Sequence, residues 1–227
     1  AAAFAGVSGG SDERNDIIIR GNSPTATVWR LEDINIPNPN HLSFSGSTGG
    51  PVSILNNNML SNSDFFTGAF PAEYGNANAG AFDLNLRRGN NQKREYYFQL
   101  GLAGLEFGLE GPFSKKHPAS YLASYRYSTM ALIGLMGIDL GISAIPLYQD
   151  LTFVIDVPTK KKAGRFTVWG IGGLSSIHIE DNPGFNGGSS EKRDQDLGSD
   201  MGAAGLTHLV FLGERSSLKT TVAATVL

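Results

Sequence analysis

The sequence contains no cysteine, which excludes disulfides, thiolate metal ligands and cysteine nucleophiles and leaves the redox compartment unspecified. It lacks any excess of basic charge: 18 Lys+Arg against 21 Asp+Glu give a formal net charge of −3. A polyanionic partner calls for a basic stripe, so no nucleic acid is expected as a target. His41, His117, His178 and His208 show no HxH or HxxxH spacing, and neither a transition-metal site nor a cofactor is expected. Gly187-Gly188-Ser189-Ser190 lacks the lysine and following helix of a phosphate-binding loop, so nucleotide binding has no support. No initiator Met and no basic-then-apolar leader opens the chain, which reads as a mature or partial one.

Long hydrophobic runs are scarce too. Mean hydropathy is −0.12 and hydrophobic residues make up 41% of the chain. Such averages do not exclude a membrane barrel, whose lipid-facing and lumen-facing residues alternate and cancel. One stretch, Met130 to Leu147, is apolar over roughly the length of a membrane-crossing helix. Asp139, its glycines and Pro146 speak against crossing, and a loop helix tucked against a barrel mouth is expected instead.

What is present is alternation. Beyond Asn91, Tyr96, Phe98, Leu100 and Leu102 share one face. Leu105, Phe107, Leu109 and Phe113 continue with opposite parity, facing away from Glu106 and Glu110. A two-residue hairpin turn at Ala103-Gly104 flips parity in this way, and so does a bulge in one long strand. Tyr121, Ala123, Tyr125 and Tyr127 then oppose Ser120, Ser124, Arg126 and Ser128, while Leu151, Phe153, Ile155 and Val157 oppose Thr152 and Asp156. Residues 165–179 and 203–212 are less cleanly patterned, and Leu218, Val222, Ala224 and Val226 form a last apolar face. About seven segments result, most near the 9–11 residues with which a tilted strand crosses a bilayer core.

The connections alternate in length. Those at 113–118, 159–164 and 213–216 are short, and those at 128–148 and 180–196 are long. Outer-membrane barrels alternate in this manner, with short periplasmic turns and longer outer loops. The register holds only if Ala103-Gly104 is a hairpin, which favours that reading over the bulge. Seven strands do not close such a barrel, and an open edge in lipid is forbidden, so the wall is expected to continue beyond Leu227.

Ahead of Asn91 the texture differs. Residues 1–14 read as an irregular lead-in, and Ile17-Ile18-Ile19-Arg20-Gly21 as a short strand closed by glycine. Residues 22–62 are rich in Asn, Pro, Ser and Gly, as expected of loops on a compact mixed α/β core. Residues 82–87 alternate as a strand, ended by Arg88-Gly89-Asn90-Asn91. The expected fold is a small α/β plug domain over 1–91, followed over 92–227 by strands of an antiparallel membrane β-barrel that is incomplete in this chain.

Several stretches now resemble the TonB-dependent outer-membrane receptor family, in particular its Bacteroidetes-type members. They are NDIIIRGNSP at 15–24, the segment Leu31 to Pro37, and GAFPAEYGNANAGAFDLNLRRGN ending at Asn90. In the second part they are Glu110-Gly111-Pro112-Phe113, Tyr125-Arg126-Tyr127-Ser128 and Pro146-Leu147-Tyr148-Gln149-Asp150. Asn35 departs from the glycine that such plugs carry shortly after the acidic residue, so the apex loop is expected to differ in shape. The resemblance implies a barrel of about 22 strands with a plugged lumen. It also implies a location in the cell outer membrane and active import of a bulky nutrient gated by the plug. A TonB-type energy-transducing protein in the periplasm would be the partner, with a surface lipoprotein lid as a further one. The short TonB box that such a partner pulls is not found in this sequence.

Ligand contact is expected from plug apex loops, with Asn38, Asn40 and His41 the best candidates. The bland alternative is a surface turn, since Asn and Pro dominate turns for backbone reasons. Arg20 and Arg87 end plug strands and are candidates to pair with wall carboxylates such as Glu106 or Glu110; ordinary structural ion pairing is the plainer alternative. Glu106 and Glu110 lie four apart on one strand face, roughly 13 Å at the usual rise, too far for a glycosidase pair, and no enzyme is expected. Asp181, Glu191, Asp194, Asp196 and Asp200 could hold calcium through oxygen ligands, or form a solvated acidic loop. Two other functional classes stay open. One is a receptor-like barrel that serves surface assembly by binding a partner protein. The other is a soluble all-β enzyme, in which the apolar strand faces would pack on a second sheet.

Overall fold

The computed structural model describes residues 5–9, 16–43, 49–101, 104–129, 144–159, 163–179 and 195–227. The first part of the chain forms short strands: β1 (Val7–Gly9), β2 (Ile17–Ile19), β3 (Thr27–Leu31), β4 (Ile34–Ile36), β5 (Asn40–His41), β6 (Val52–Ser53), β7 (Asp64–Phe66) and β8 (Gly80–Leu84). β1 pairs with β2 and β5 with β6, while a four-stranded sheet runs in the order β4-β3-β8-β7. The β3–β4 hairpin turns through Glu32 and Asp33, both at positive φ (50° and 68°). Positive φ at both central residues is the signature of a type I′ turn, whose twist matches that of the flanking strands.

The helical half of the expected α/β core is absent among the described residues of this part, where two single-turn 3₁₀ helices occur, Pro24–Ala26 and Asn57–Met59. The cause lies in residues 22–62, whose Asn, Pro, Ser and Gly residues favour turns and carry no apolar stripe at helical spacing.

The second part is a seven-stranded antiparallel meander: β9 (Glu95–Gly101), β10 (Gly104–Ser114), β11 (His117–Tyr127), β12 (Ala144–Pro158), β13 (Arg165–Ile179), β14 (Gln195–Phe211) and β15 (Ser217–Val226). Gly101 pairs with Gly104, so β9 and β10 form a hairpin, and Gly104, expected in the turn, is the first residue of β10. Ser114, Pro158 and Phe211 pair with His117, Arg165 and Ser217 at one end of the sheet, the short-turn end. The long connections leave from the other end, beyond Tyr127↔Gln149 and Ile179↔Gln195. Most of the apolar run 130–147 lies outside the described residues; its last four positions open β12. Among the described residues no helix is long and apolar enough to cross a membrane, which bears on helices alone.

Strand alternation gives this sheet two unlike faces. Tyr96, Phe98, Leu100, Leu151, Leu174, Val222 and Val226 stand exposed on one. Leu122, Val154, Trp169, Ile171, Met201 and Ala203 point the other way and are buried against Trp29, Leu31, Ile54, Met59 and Leu86 of the N-terminal part. One apolar cluster thus ties the two parts, while a continuous apolar surface faces outward.

Some cross-strand partners fit by size. Tyr97, Phe153 and Trp169 sit directly opposite Gly108, Gly170 and Gly205. A Cβ at any of the three glycines would come within 2.6 Å of the opposing ring. β12, β13 and β14 run to 15, 15 and 17 residues, longer than the sequence pattern suggests. The extra length lies at the long-connection end, where the outward positions become Ser176, His178, Asp196 and Asp200.

Candidate functional site

The same alternation that sends apolar side chains outward sends Glu106, Glu110, Ser120, Ser124, Arg126, Asp150, Thr152 and Asp156 inward, onto the face covered by the N-terminal part. A polar seam results, flanking the apolar cluster at both ends of the strands.

At the long-connection end, His41 of β5 is fully buried and its Nε2 lies 3.0 Å from Oδ2 of Asp150, itself buried. Arg126 donates to that same oxygen through Nε at 2.9 Å and Nη2 at 2.7 Å. Its Nη2 also donates to the carbonyl of Ser53 in β6. The Tyr148 ring lies 4.8 Å from the His41 ring and 5.7 Å from the Arg126 guanidinium carbon. Leu42 N donates to Ser175 Oγ at 3.1 Å. Gly173 makes room for this packing, since a Cβ there would stand 2.6 Å from His41 Cε1 and 2.8 Å from Ile54 Cδ1.

At Glu106 of β10, directly opposite Arg126 in the β10–β11 register, Asn56 does two jobs. Its Oδ1 caps the 3₁₀ helix by accepting from Asn58 N at 2.8 Å. Its Nδ2 donates to Glu106 Oε1 at 2.7 Å and to Ser124 Oγ at 2.9 Å. Asn58 Nδ2 and Ser124 Oγ also donate to Glu106, at 3.3 and 3.2 Å. A buried carboxylate is tolerable only when donors surround it, and here three side chains supply them.

At the short-turn end, Arg87 donates twice to Glu110, each contact 2.9 Å, and Asn90 N adds a third at 2.7 Å. Arg88 and Arg165 share Asp156 Oδ1 at 3.3 and 3.6 Å. Lys219 of β15 pairs with Asp33. Glu32 accepts from Leu86 N at 2.8 Å; burial pushes its carboxyl above the usual range, against the pull of that N–H and of Lys219. Gly89 passes so close to β11 that a Cβ would stand 2.1 Å from the Tyr121 carbonyl oxygen. Glu32, Arg87, Arg88, Arg165 and Lys219 border a cavity of about 470 Å³.

Of the residues singled out in the sequence, the structure brings Arg87 and Glu110 together. Glu106 meets asparagines and a serine instead of an arginine. Arg20, at φ 50°, packs its guanidinium over Gly68 and makes no ion pair among the described residues. Asn38 donates to Gly49 O at 2.9 Å and Asn40 to Asn38 Oδ1 at 2.6 Å, so these side chains, with His41, are engaged by protein. Asp181, Glu191 and Asp194 lie outside the described residues. His178 pairs with Asp196 at 2.6 Å, and no group of metal-ligating side chains occurs among the described residues. Asp150, Arg126, Asn56 and Asp156 were missed by sequence reasoning. The available signal was a charged or amide side chain at an inward position, which alternation marks without naming its partner.

No family model matches the chain, and no curated protein matches it. Among solved structures it is similar to a mutant ferric enterobactin receptor from Pseudomonas aeruginosa in complex with enterobactin. That match has a TM-score of 0.59 and 14% identity, covering 97% of this chain and 37% of that one. It is also similar to the outer membrane transporter YddB from Escherichia coli, with a TM-score of 0.54 and 15% identity, covering 92% and 32%. The chain therefore spans well under half of each structure it matches. Likeness at this identity carries the fold alone: the seven-stranded antiparallel sheet and the part packed on it match a segment of these outer-membrane barrel structures.

Proposed function

We propose that the chain is part of a TonB-dependent outer-membrane importer, in which residues 1–91 form a plug that closes the lumen bounded by the strands of 92–227. The observation that carries this reading is the seam. The inward face of an outer-membrane-type wall is covered by the chain's own N-terminal part through ion pairs and amide hydrogen bonds at both ends. Polar contacts of this kind exchange for water at modest net cost when a docked element moves, whereas a wholly apolar interface does not. The outward apolar face would meet lipid, and the extra length of β12, β13 and β14 would rise past it into water.

In this reading a TonB-type protein in the periplasm supplies energy at the short-turn end, and a surface lipoprotein lid covers the long-connection end. Asn38, Asn40 and His41 meet the nutrient only once their own hydrogen bonds are given up. One structural neighbour is a ferric enterobactin receptor, so a ferric siderophore is the first nutrient class to test. The experiment is accumulation of a labelled ferric siderophore, and of a glycan panel, by cells with and without the full-length gene. Uptake that requires both the gene and the proton-motive force supports import. Gene-dependent capture of a partner protein with no energised uptake of any solute would replace import with a surface-assembly role.

A further inference from the structure

We propose that His41, Asp150 and Arg126 form a latch at the long-connection end, and that its release precedes any movement at the short-turn end. This rests on the gating reading above. A single atom, Asp150 Oδ2, accepts from His41 of β5 and from Arg126, which in turn holds the Ser53 carbonyl of β6. Both strands of the β5–β6 ribbon therefore hang on one carboxylate oxygen of the wall. The ribbon is short: it pairs through two residue pairs, Asn40↔Ser53 and His41↔Val52, with Ile54 N donating to the Pro39 carbonyl and Ser43 Oγ 3.4 Å from Ser199 Oγ just beyond it. Leu42 N to Ser175 Oγ is a further polar tie nearby.

This end is also incompletely satisfied. His41 Nδ1, Tyr148 Oη and Thr152 Oγ1 are buried without a hydrogen-bond partner among the described residues. Opening would hydrate all three, which offsets part of the loss of the Asp150 contacts. The short-turn end differs in kind. Glu110 has three donors, two further ion-pair clusters flank it, and Gly89 lies against the β11 backbone. The seam therefore opens first where the charged ties converge on one carboxylate oxygen beside unsatisfied groups, and hinges where several ion pairs hold a strand end.

The test uses single cysteine reporters in the full-length protein, with any cysteine outside these 227 residues replaced by serine, in outer-membrane vesicles. Ile54→Cys reports the latch end and Leu86→Cys the short-turn end; both positions are buried. With heat-dependent gel mobility retained, His41→Leu and Asp150→Asn are expected to speed maleimide labelling of Ile54→Cys about tenfold or more, the scale of one lost hydrogen bond to a charged group. His41→Gln keeps a donor and is expected to stay near the parent rate, as is Leu86→Cys in every variant. Unchanged labelling at Ile54→Cys, an equal rise at Leu86→Cys, or His41→Gln behaving like His41→Leu would each overturn the latch alone. Fast labelling at both reporters in the parent would overturn the gating reading along with it.

Discussion

Arg87 and Glu110 meet fork to fork, two guanidinium nitrogens on two carboxylate oxygens, at the point where the N-terminal part of the chain joins the seven-stranded sheet. The pair is largely shielded, with side-chain exposures of 31% and 13%. Its planar geometry suits arginine and not lysine, which offers a point charge on a flexible stem. Arg87→Lys is expected to loosen residues 85–91 nearly as much as Arg87→Ala, by about 1–3 kcal/mol. Hydrogen exchange across 85–91 in the detergent-solubilised full-length protein checks this. A lysine variant indistinguishable from the parent would show that charge alone suffices.

Asn56 links a helix cap to a buried carboxylate. Asn56→Ala removes the cap and one donor to Glu106, and is expected to cost about 1–3 kcal/mol. Asn56→Asp keeps the cap and sets a second carboxylate against Glu106, so it should cost more at neutral pH and recover as the solution is acidified. Urea-dependent proteolysis of the N-terminal part measures both. If the aspartate variant matched the alanine variant at every pH, the electrostatic coupling would be absent.

Glu32 sets a pH dependence of definite sign. Its folded carboxyl titrates above the ordinary value of 4.5, chiefly because it is buried. The folded state therefore favours the protonated form, and the corresponding stability is full below the unfolded value and lost as pH rises through the folded one. Glu32→Gln retains an acceptor for Leu86 N and cannot ionise. Relative to wild type, it is expected to be more resistant to urea-dependent proteolysis near neutral pH and equal to it at about pH 4. A difference that grew on acidification would reverse the assignment.

Gly89 tolerates no side chain, because the atom a Cβ would strike is backbone, the Tyr121 carbonyl oxygen at 2.1 Å. Gly89→Ala is expected to displace residues 87–90 and cost about 1–3 kcal/mol, the range for overpacking. Gly213, with nothing within 4 Å of its Cβ position, is the matched control and should accept alanine freely. Thermal stability of the two variants in detergent decides the matter.

Parity was the legible part. Tyr96, Phe98, Leu151 and Val222 announce an outward face because period-two alternation is imposed locally by the strand. The long-connection ends of β13 and β14 were not legible, because there the outward positions turn polar and alternation fades while the ladder continues. A strand-end arginine is a candidate partner for Glu106 or Glu110, but the sequence does not say which meets which: Arg87 lies on Glu110, while the backbone conformation of Arg20 turns it over Gly68. His41 looked like an exposed apex residue because Asn-Pro-Asn-His reads as a polar turn. Its burial depends on Asp150, 109 residues away, and no local pattern carries that information.

The rings set over Gly108, Gly170 and Gly205 act as detents. Sliding β9 by two residues along β10 would keep every side chain on its proper face, yet bring Tyr97 opposite Glu106 or Glu110 in place of the notch at Gly108. Alternation alone does not penalise such a slip, since hydrophobic pattern distinguishes odd shifts from even ones and nothing finer. Tyr97, Phe153 and Trp169 supply the missing discrimination on three different strand pairs, so a meander with few other landmarks clicks into one alignment as it assembles.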